Sequence, residues 1–131
     1  MLEIGTGSGY QAAVLSQLAQ QVYTMEIVPE LAQSARRILS DLGYGNVTVR
    51  QGDGYKGWPE QAPFDGIVVT AAPPEVPRAL IDQLANGGRL VAPVGRGWNQ
   101  ELVLIEKDAN GRIRRRSAGS VVFVPLRPGG V

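Results

Sequence analysis

Short apolar runs alternate with segments of helical period along most of this chain, and that alternation predicts an α/β fold with a mostly parallel sheet. Leu2–Ile4 reads as a first strand, and residues about 9–20 as a helix with Ala12, Ala13, Leu15, Leu18 and Ala19 toward the sheet. Val22–Met25, closed by Glu26, predicts a second strand. Pro29 suits a first helical turn, and Leu31, Ala32, Ala35, Ile38, Leu39 and Leu42 form a helical stripe that Gly43 ends. Val47–Arg50 and Gly66–Thr70 predict the third and fourth strands, with the turn Gly52-Asp53-Gly54 after the third. A short helix is expected from Pro77 through Leu84, stopped by Gly87-Gly88, before a fifth strand over Arg89–Val94. Beyond it the rhythm changes. Glu101–Lys107 and Arg112–Ser117 flank Asp108-Ala109-Asn110-Gly111, an Asn-Gly signal that predicts a hairpin with a two-residue turn. Val121–Leu126 is expected as a last strand and the Pro-Gly-Gly tail as frayed. No repeat, low-complexity tract or long linker divides residues 1–131, which read as one domain.

The first strand runs directly into Gly5-Thr6-Gly7-Ser8-Gly9, the strand–turn–helix arrangement by which doubly wound proteins receive a nucleotide-like ligand. A side chain at Gly5, Gly7 or Gly9 would occupy the space a ligand needs. Tyr10 stands where dinucleotide binders have a third glycine, so the expected cofactor has no pyrophosphate, and S-adenosylmethionine is the leading candidate. In that reading the start of the following helix faces the methionyl carboxylate, and Glu3 offsets the methionyl ammonium directly or through water. Glu26 ends its strand where an acid can accept from both ribose hydroxyls, Asp53 can accept from an adenine amino group, and Thr70 lies at the same sheet edge. Each has a plainer reading: a helix-packing turn, a solvated strand-end charge, a Gly-Asp-Gly turn. Their common register at the ends of parallel strands favours a site. The following Ala71-Ala72-Pro73-Pro74 holds small residues, leaving backbone exposed in a wide site that suits a peptide better than a flipped base.

Composition narrows the chemistry. The 131 residues are 44% hydrophobic and 19% charged, with net charge +1, which points to neither a nucleic-acid binder nor a membrane-surface protein. Four arginines at 112, 114, 115 and 116 read as a solvated hairpin face. There is no cysteine and no histidine, so thiolate metal sites and histidine general-base catalysis lie outside this chain's reach. No apolar run approaches the roughly 20 residues of a membrane span. Met1 leads straight into a strand without a secretion signal, and the expected compartment is the cytoplasm.

Several longer blocks together resemble the protein-L-isoaspartate (D-aspartate) O-methyltransferase family. They are Leu-Glu-Ile-Gly-Thr-Gly-Ser-Gly-Tyr-Gln-Ala-Ala at 2–13, Gly-Asp-Gly-Tyr-Lys-Gly-Trp-Pro at 52–59, Ala-Pro-Phe-Asp at 62–65, Val-Thr-Ala-Ala-Pro-Pro-Glu-Val-Pro at 69–77, Gly-Gly-Arg-Leu-Val-Ala-Pro-Val-Gly at 87–95 and Phe-Val-Pro-Leu at 123–126. The resemblance implies a class I S-adenosylmethionine-dependent methyltransferase (Rossmann-like) fold, with a mostly parallel sheet and antiparallel C-terminal strands. It implies methyl transfer from S-adenosyl-L-methionine to the α-carboxylate of L-isoaspartyl and D-aspartyl residues in damaged proteins and peptides, with no nucleic-acid or membrane partner. It assigns Glu3, Gly5, Thr6, Gly7, Gly9, Glu26, Asp53, Gly54 and Thr70 to the cofactor and Ala71, Ala72 and Pro73 to the substrate. A carboxylate with an ordinary pKa of about 3.5 is already ionised at neutral pH, so the absence of histidine is no objection. Family members carry a long segment before the first strand. It includes a Gln-Thr-Ile-Ser-like motif whose hydroxyl belongs to the active site. This chain is therefore expected to hold the cofactor-binding body, no catalytic residue and no metal. A cofactor-binding fragment without turnover and a class I small-molecule methyltransferase are the alternatives.

Overall fold

The computed structural model describes residues 1–7 and 9–128. Ser8, within the glycine-rich loop, and the last residues of the Pro-Gly-Gly tail lie outside the described residues. Seven strands form one sheet in the order β3-β2-β1-β4-β5-β6-β7. They are β1 (Leu2–Ile4), β2 (Val22–Glu26), β3 (Val47–Gln51), β4 (Phe64–Val69), β5 (Leu84–Arg96), β6 (Asn99–Lys107) and β7 (Ile113–Val121). The pairs among β3, β2, β1, β4 and β5 are parallel, while β5–β6 and β6–β7 are antiparallel. The expected mostly parallel sheet with antiparallel C-terminal pairing is therefore present. Chain order reverses between β1 and β4, the place where open α/β sheets leave a crevice beyond their carboxyl ends.

Alternation along the strands divides the apolar side chains between two faces. One face gathers Leu2, Ile4, Met25, Ile67, Val69, Leu90, Ala92, Val103 and Ile105 against Trp58, Phe64, Val76 and Leu80. Tyr23 adds edge-to-face contacts to Trp58 and Phe64, with centroids 5.2 and 6.1 Å away. The other face packs Val22 and Val49 under Ala12 and Leu15 of α1 (Tyr10–Ser16) and Ala32 and Leu39 of α2 (Pro29–Asp41).

Helix α2 follows its sequence signals. Pro29 stands in the first turn, and Ala32, Ala35 and Leu39 are buried. Gly43, at φ +84°, ends the helix: its N–H donates to Ser40 O and the Tyr44 N–H donates to Leu39 O, the paired closure a left-handed C′ residue permits. The predicted stripe is too wide, however. Leu31, Ile38 and Leu42 are exposed, Leu31 beside the cavity at the strand ends and Ile38 and Leu42 along the cleft between the first two helices.

Four expectations about elements need correction. The first helix stops at Ser16 rather than near residue 20, and Leu18 is 80% exposed. The Asn46 amide donates to the carbonyls of Ser16 (2.8 Å) and Ala19 (3.2 Å), supplying from β3's approach the partners that more helix would have given. The third helix, α3 (Arg78–Asp82), ends before the glycine pair. Leu84 already pairs with Phe64, and Gly87-Gly88 occupies an irregularity before Arg89 pairs with Gly66. A side chain at Gly88 would press on the carbonyls of Ala85 and Asp65.

The hairpin between β6 and β7 has a three-residue loop, not a two-residue one. Gly111 N donates to Asp108 O, Gly111 is left-handed at φ +81°, and Asp108 N donates to Arg112 O. The Asp108 carboxylate completes it by accepting from Asn110 N and Arg112 N. Finally, residues 122–126 are not a strand. β7 ends at Val121 and the chain leaves the sheet, touching it again at one bridge between Ala72 and Pro125. Proline at 125 cannot donate to a ladder, which limits pairing there. Among the described residues no helix is long and apolar enough to cross a membrane.

Candidate functional site

A cavity of about 630 Å³ opens at the carboxyl ends of β1, β2, β3 and β4, a size suited to a small-molecule ligand. Gly5 and Gly7 form one wall, Glu26 and Val28 the next, Gly52 and Gly54 a third, and Thr70 and Ala71 a fourth. Residues Val124–Arg127, from the segment that has left the sheet, close the remaining side.

The glycines are required by close approach. Gly5 has φ +104°, and a Cβ there would run into Thr70 Oγ1. The Thr70 hydroxyl in turn lies within hydrogen-bond distance of the carbonyls of Ile4 (2.9 Å) and Gly5 (3.0 Å), tying β4 to the loop. A Cβ on Gly54 would strike Ile4 Cγ2.

Glu26 is buried at the end of β2 and holds two segments together. One carboxylate oxygen accepts from Gly7 N at 2.8 Å and the other from Val28 N at 3.1 Å. Each oxygen keeps a second lone pair, and Glu26 lines the cavity. The other described loop amides are also occupied: Gly5 N and Thr6 N donate to Met25 O, and Gly9 N to Thr6 O. Helix α1 has seven residues, Tyr10–Ser16.

Not every expected site residue reaches this cavity. Glu3 is fully buried on the opposite side of the sheet edge, where Thr24 donates to its Oε1 at 2.6 Å and Thr24 and Thr6 hydroxyls lie 2.7 Å apart. Thr24 spends its proton on Glu3, so the Thr6 hydroxyl donates to Thr24. Glu3 and Thr6 thus brace the loop from behind and are absent from the cavity wall. Gly9 packs toward Leu39 and Ala35 and borders a separate apolar cleft of about 360 Å³ between α1 and α2. Asp53 lies between two glycines of the wall, but its carboxylate accepts from Tyr55 N at 2.9 Å, capping a 3-10 turn over Gly54–Lys56. Ala72 and Pro73 are buried; Ala72 bridges to the 122–126 segment, and Pro73 O accepts from Gly95 N. Met25, Ile27, Val28, Leu31 and Val124–Arg127 are wall residues outside the expected site, and of these only Val124–Leu126 fall in a quoted block. Among the described residues no cluster of acidic side chains could hold a metal ion.

Burial drives the Glu3 carboxyl up to about 7, against the Thr24 hydrogen bond, with the Glu26 charge adding to the rise. Among the described residues its Oε2 has no hydrogen-bond partner. A folded pKa above the ordinary 4.5 means the folded chain retains a proton that the unfolded chain releases between those values. Stability therefore falls as pH rises from about 4.5 through about 7 and levels off above. Glu3→Gln, which still accepts from Thr24 and cannot ionise, is expected to remove that fall, worth about 3 kcal/mol at most. Urea denaturation of both proteins across this range is the check. Parallel pH profiles would show that Glu3 does not titrate there.

The five parallel-paired strands, the reversal between β1 and β4 and the glycine-walled cavity at their carboxyl ends define a class I methyltransferase fold. The family model described as Protein-L-isoaspartate(D-aspartate) O-methyltransferase matches residues 1–129. A protein-L-isoaspartate O-methyltransferase of Gloeobacter violaceus is 56% identical over 126 residues, covering 96% of this chain and 62% of its own length. Protein-L-isoaspartate O-methyltransferase 2 of Nitrosococcus oceani is 58% identical, covering 96% and 58%. A solved protein-L-isoaspartate O-methyltransferase superposes with TM-score 0.86 at 34% identity, over 98% of this chain and 41% of that one. A structure assigned to the same enzyme from Plasmodium falciparum, in complex with S-adenosyl-L-homocysteine, gives TM-score 0.80 at 27% identity, covering 96% and 64%. The chain belongs to the protein-L-isoaspartate(D-aspartate) O-methyltransferase family. It spans about 53–62% of the length of curated relatives it matches.

Proposed function

We propose that this chain forms the cofactor-binding body of a protein-L-isoaspartate O-methyltransferase, binding S-adenosyl-L-methionine in the cavity at the β1–β4 switch point. The observation that carries this reading is the convergence of Gly5, Gly7, Glu26, Gly54 and Thr70 on one cavity at the strand ends. The Plasmodium falciparum relative, with S-adenosyl-L-homocysteine bound, supports the ligand class. Bound there, S-adenosylmethionine supplies an electrophilic methyl group on a sulfonium. The chain's own residues bind and orient: Glu26 offers its remaining lone pairs to ribose hydroxyls, and Gly5, Gly7 and Gly54 keep the cavity clear for a nucleoside. The acceptor is the α-carboxylate of an isoaspartyl residue, presented beside Ala71 at the mouth. That carboxylate is ionised at neutral pH, so the reaction needs alignment and exclusion of water rather than a base. This agrees with a chain that has no histidine. The reading places the work in a cell compartment that holds S-adenosylmethionine, the cytoplasm.

The test is transfer of a labelled methyl group to paired peptides that differ only in an isoaspartyl or aspartyl linkage. A base-labile ester on the isoaspartyl peptide alone is expected. Equal labelling of both, or labelling of small carboxylic acids in preference, would favour a small-molecule methyltransferase.

A further inference from the structure

The segment after β7 runs as a strap past the end of the sheet where the parallel strands finish, and its anchors are specific. The buried Gln100 side chain mimics a paired strand: its Oε1 accepts from Phe123 N at 2.8 Å, and its Nε2 donates to Phe123 O at 3.0 Å and Gly97 O at 2.9 Å. Next, Ala72 exchanges two backbone bonds with the strap, donating to Val124 O and accepting from Leu126 N. The Tyr55 hydroxyl then donates to Leu126 O at 3.0 Å. The following residue, Arg127, is exposed and lines the cavity. Among the described residues Glu26 and Arg127 are the charged members of that lining. Among the described residues no carboxylate pairs with Arg127. The described loop amides that could have met an anion are spent on Met25 O, Thr6 O and Glu26.

We propose that Arg127 is a carboxylate-recognition residue of this cavity, and that Gln100 is a positioning residue that sets it there through the strap. The proposal rests on the cofactor reading above. Two bound molecules would bring a carboxylate, the amino-acid end of the cofactor and the isoaspartyl peptide. The guanidinium chemistry is the same for both: a forked, permanently charged donor facing a planar anion.

Calorimetric titration separates the two. The probes are S-adenosylhomocysteine, 5′-methylthioadenosine (the same thioether nucleoside without the amino-acid end) and an isoaspartyl peptide added with S-adenosylhomocysteine present. If the cofactor's carboxylate is the partner, Arg127→Ala weakens S-adenosylhomocysteine about tenfold or more and leaves methylthioadenosine unchanged. If the peptide's carboxylate is the partner, both nucleosides bind as before and the peptide weakens by a similar factor. In either case Arg127→Lys retains more affinity than Arg127→Gln. Gln100→Leu, which alters no charge, is expected to reproduce part of the same selective loss. Unchanged affinity for all probes in Arg127→Ala overturns the recognition role, and an unaffected Gln100→Leu overturns the positioning role. An unaltered chain that binds methylthioadenosine and S-adenosylhomocysteine equally contradicts a carboxylate contact to the cofactor and leaves the peptide arm to decide. An unaltered chain that binds no nucleoside overturns the cofactor reading and the Arg127 assignment with it.

Discussion

Glu26→Ala is expected to lower affinity for S-adenosylhomocysteine by about a hundredfold or more. Two charge-assisted hydrogen bonds to the ribose, each worth about 1.5–3 kcal/mol, would be lost. The structure adds a second cost. The same carboxylate holds Gly7 N and Val28 N, so its removal leaves two amides at the cavity wall without their partner. Loss of an acceptor from a partly buried donor costs about 1–3 kcal/mol, so a lower denaturation midpoint is expected as well. The two effects are separated by titrating well below that midpoint and by comparing Glu26→Gln. The amide keeps an oxygen for one backbone N–H, but it turns an NH2 toward the other and carries no charge. Affinity unchanged in Glu26→Ala would sink the ribose assignment and leave Glu26 a purely structural clasp.

Slow turnover by these 131 residues is the second large effect expected. Holding acceptor and donor in line can be worth roughly 7–11 kcal/mol of barrier in favourable cases. On the proposed reading the acceptor enters beside Ala71, where the cavity is bounded by a strap whose Val124 is 69% exposed. Such a wall admits water and gives a peptide few fixed contacts. Methyl transfer to an isoaspartyl peptide, measured beside a full-length relative such as that of Nitrosococcus oceani, is the check. The chain is expected to bind the cofactor and transfer orders of magnitude more slowly. Turnover at the relative's rate would show that these residues contain the whole reacting geometry.

Hydrophobic period and glycine placement made the sheet and the glycine-walled end of its parallel strands legible in the sequence, because both are local signals. The strand–glycine loop at residues 2–9 could be read without knowing what lies near it. Gly5 proves to be constrained by Thr70, a contact across the β1–β4 pair. What the sequence hid was set by long-range partners. Asn46 ends α1 from thirty residues away in the chain, and no signal within α1 announces it. Residues 122–126 have strand-like composition, yet Gln100 and Ala72 draw them past the end of the sheet as a strap. Glu3 is expected from the sequence to offset the methionyl ammonium, directly or through water, because it immediately precedes the glycine-rich loop. Its position on β1, one residue before Ile4, turns it to the opposite face, toward Thr24. Asp53 lies between Gly52 and Gly54 of the wall, and no local signal told that one of its oxygens also caps the turn through Tyr55 N.

The central claim is that the cavity beyond β1 and β4, rather than the apolar cleft between α1 and α2, receives the cofactor. The most direct measurement is an amide chemical-shift map of the isotope-labelled chain during titration with S-adenosylhomocysteine. Saturable shifts are predicted at Gly5, Gly7, Glu26, Gly52, Gly54, Thr70 and Ala71, with Gly43, Tyr44 and the β7 amides unmoved. Shifts confined to Ala13, Gln17 and Leu42 along the interhelical cleft, or none at all at saturating ligand, would contradict the account.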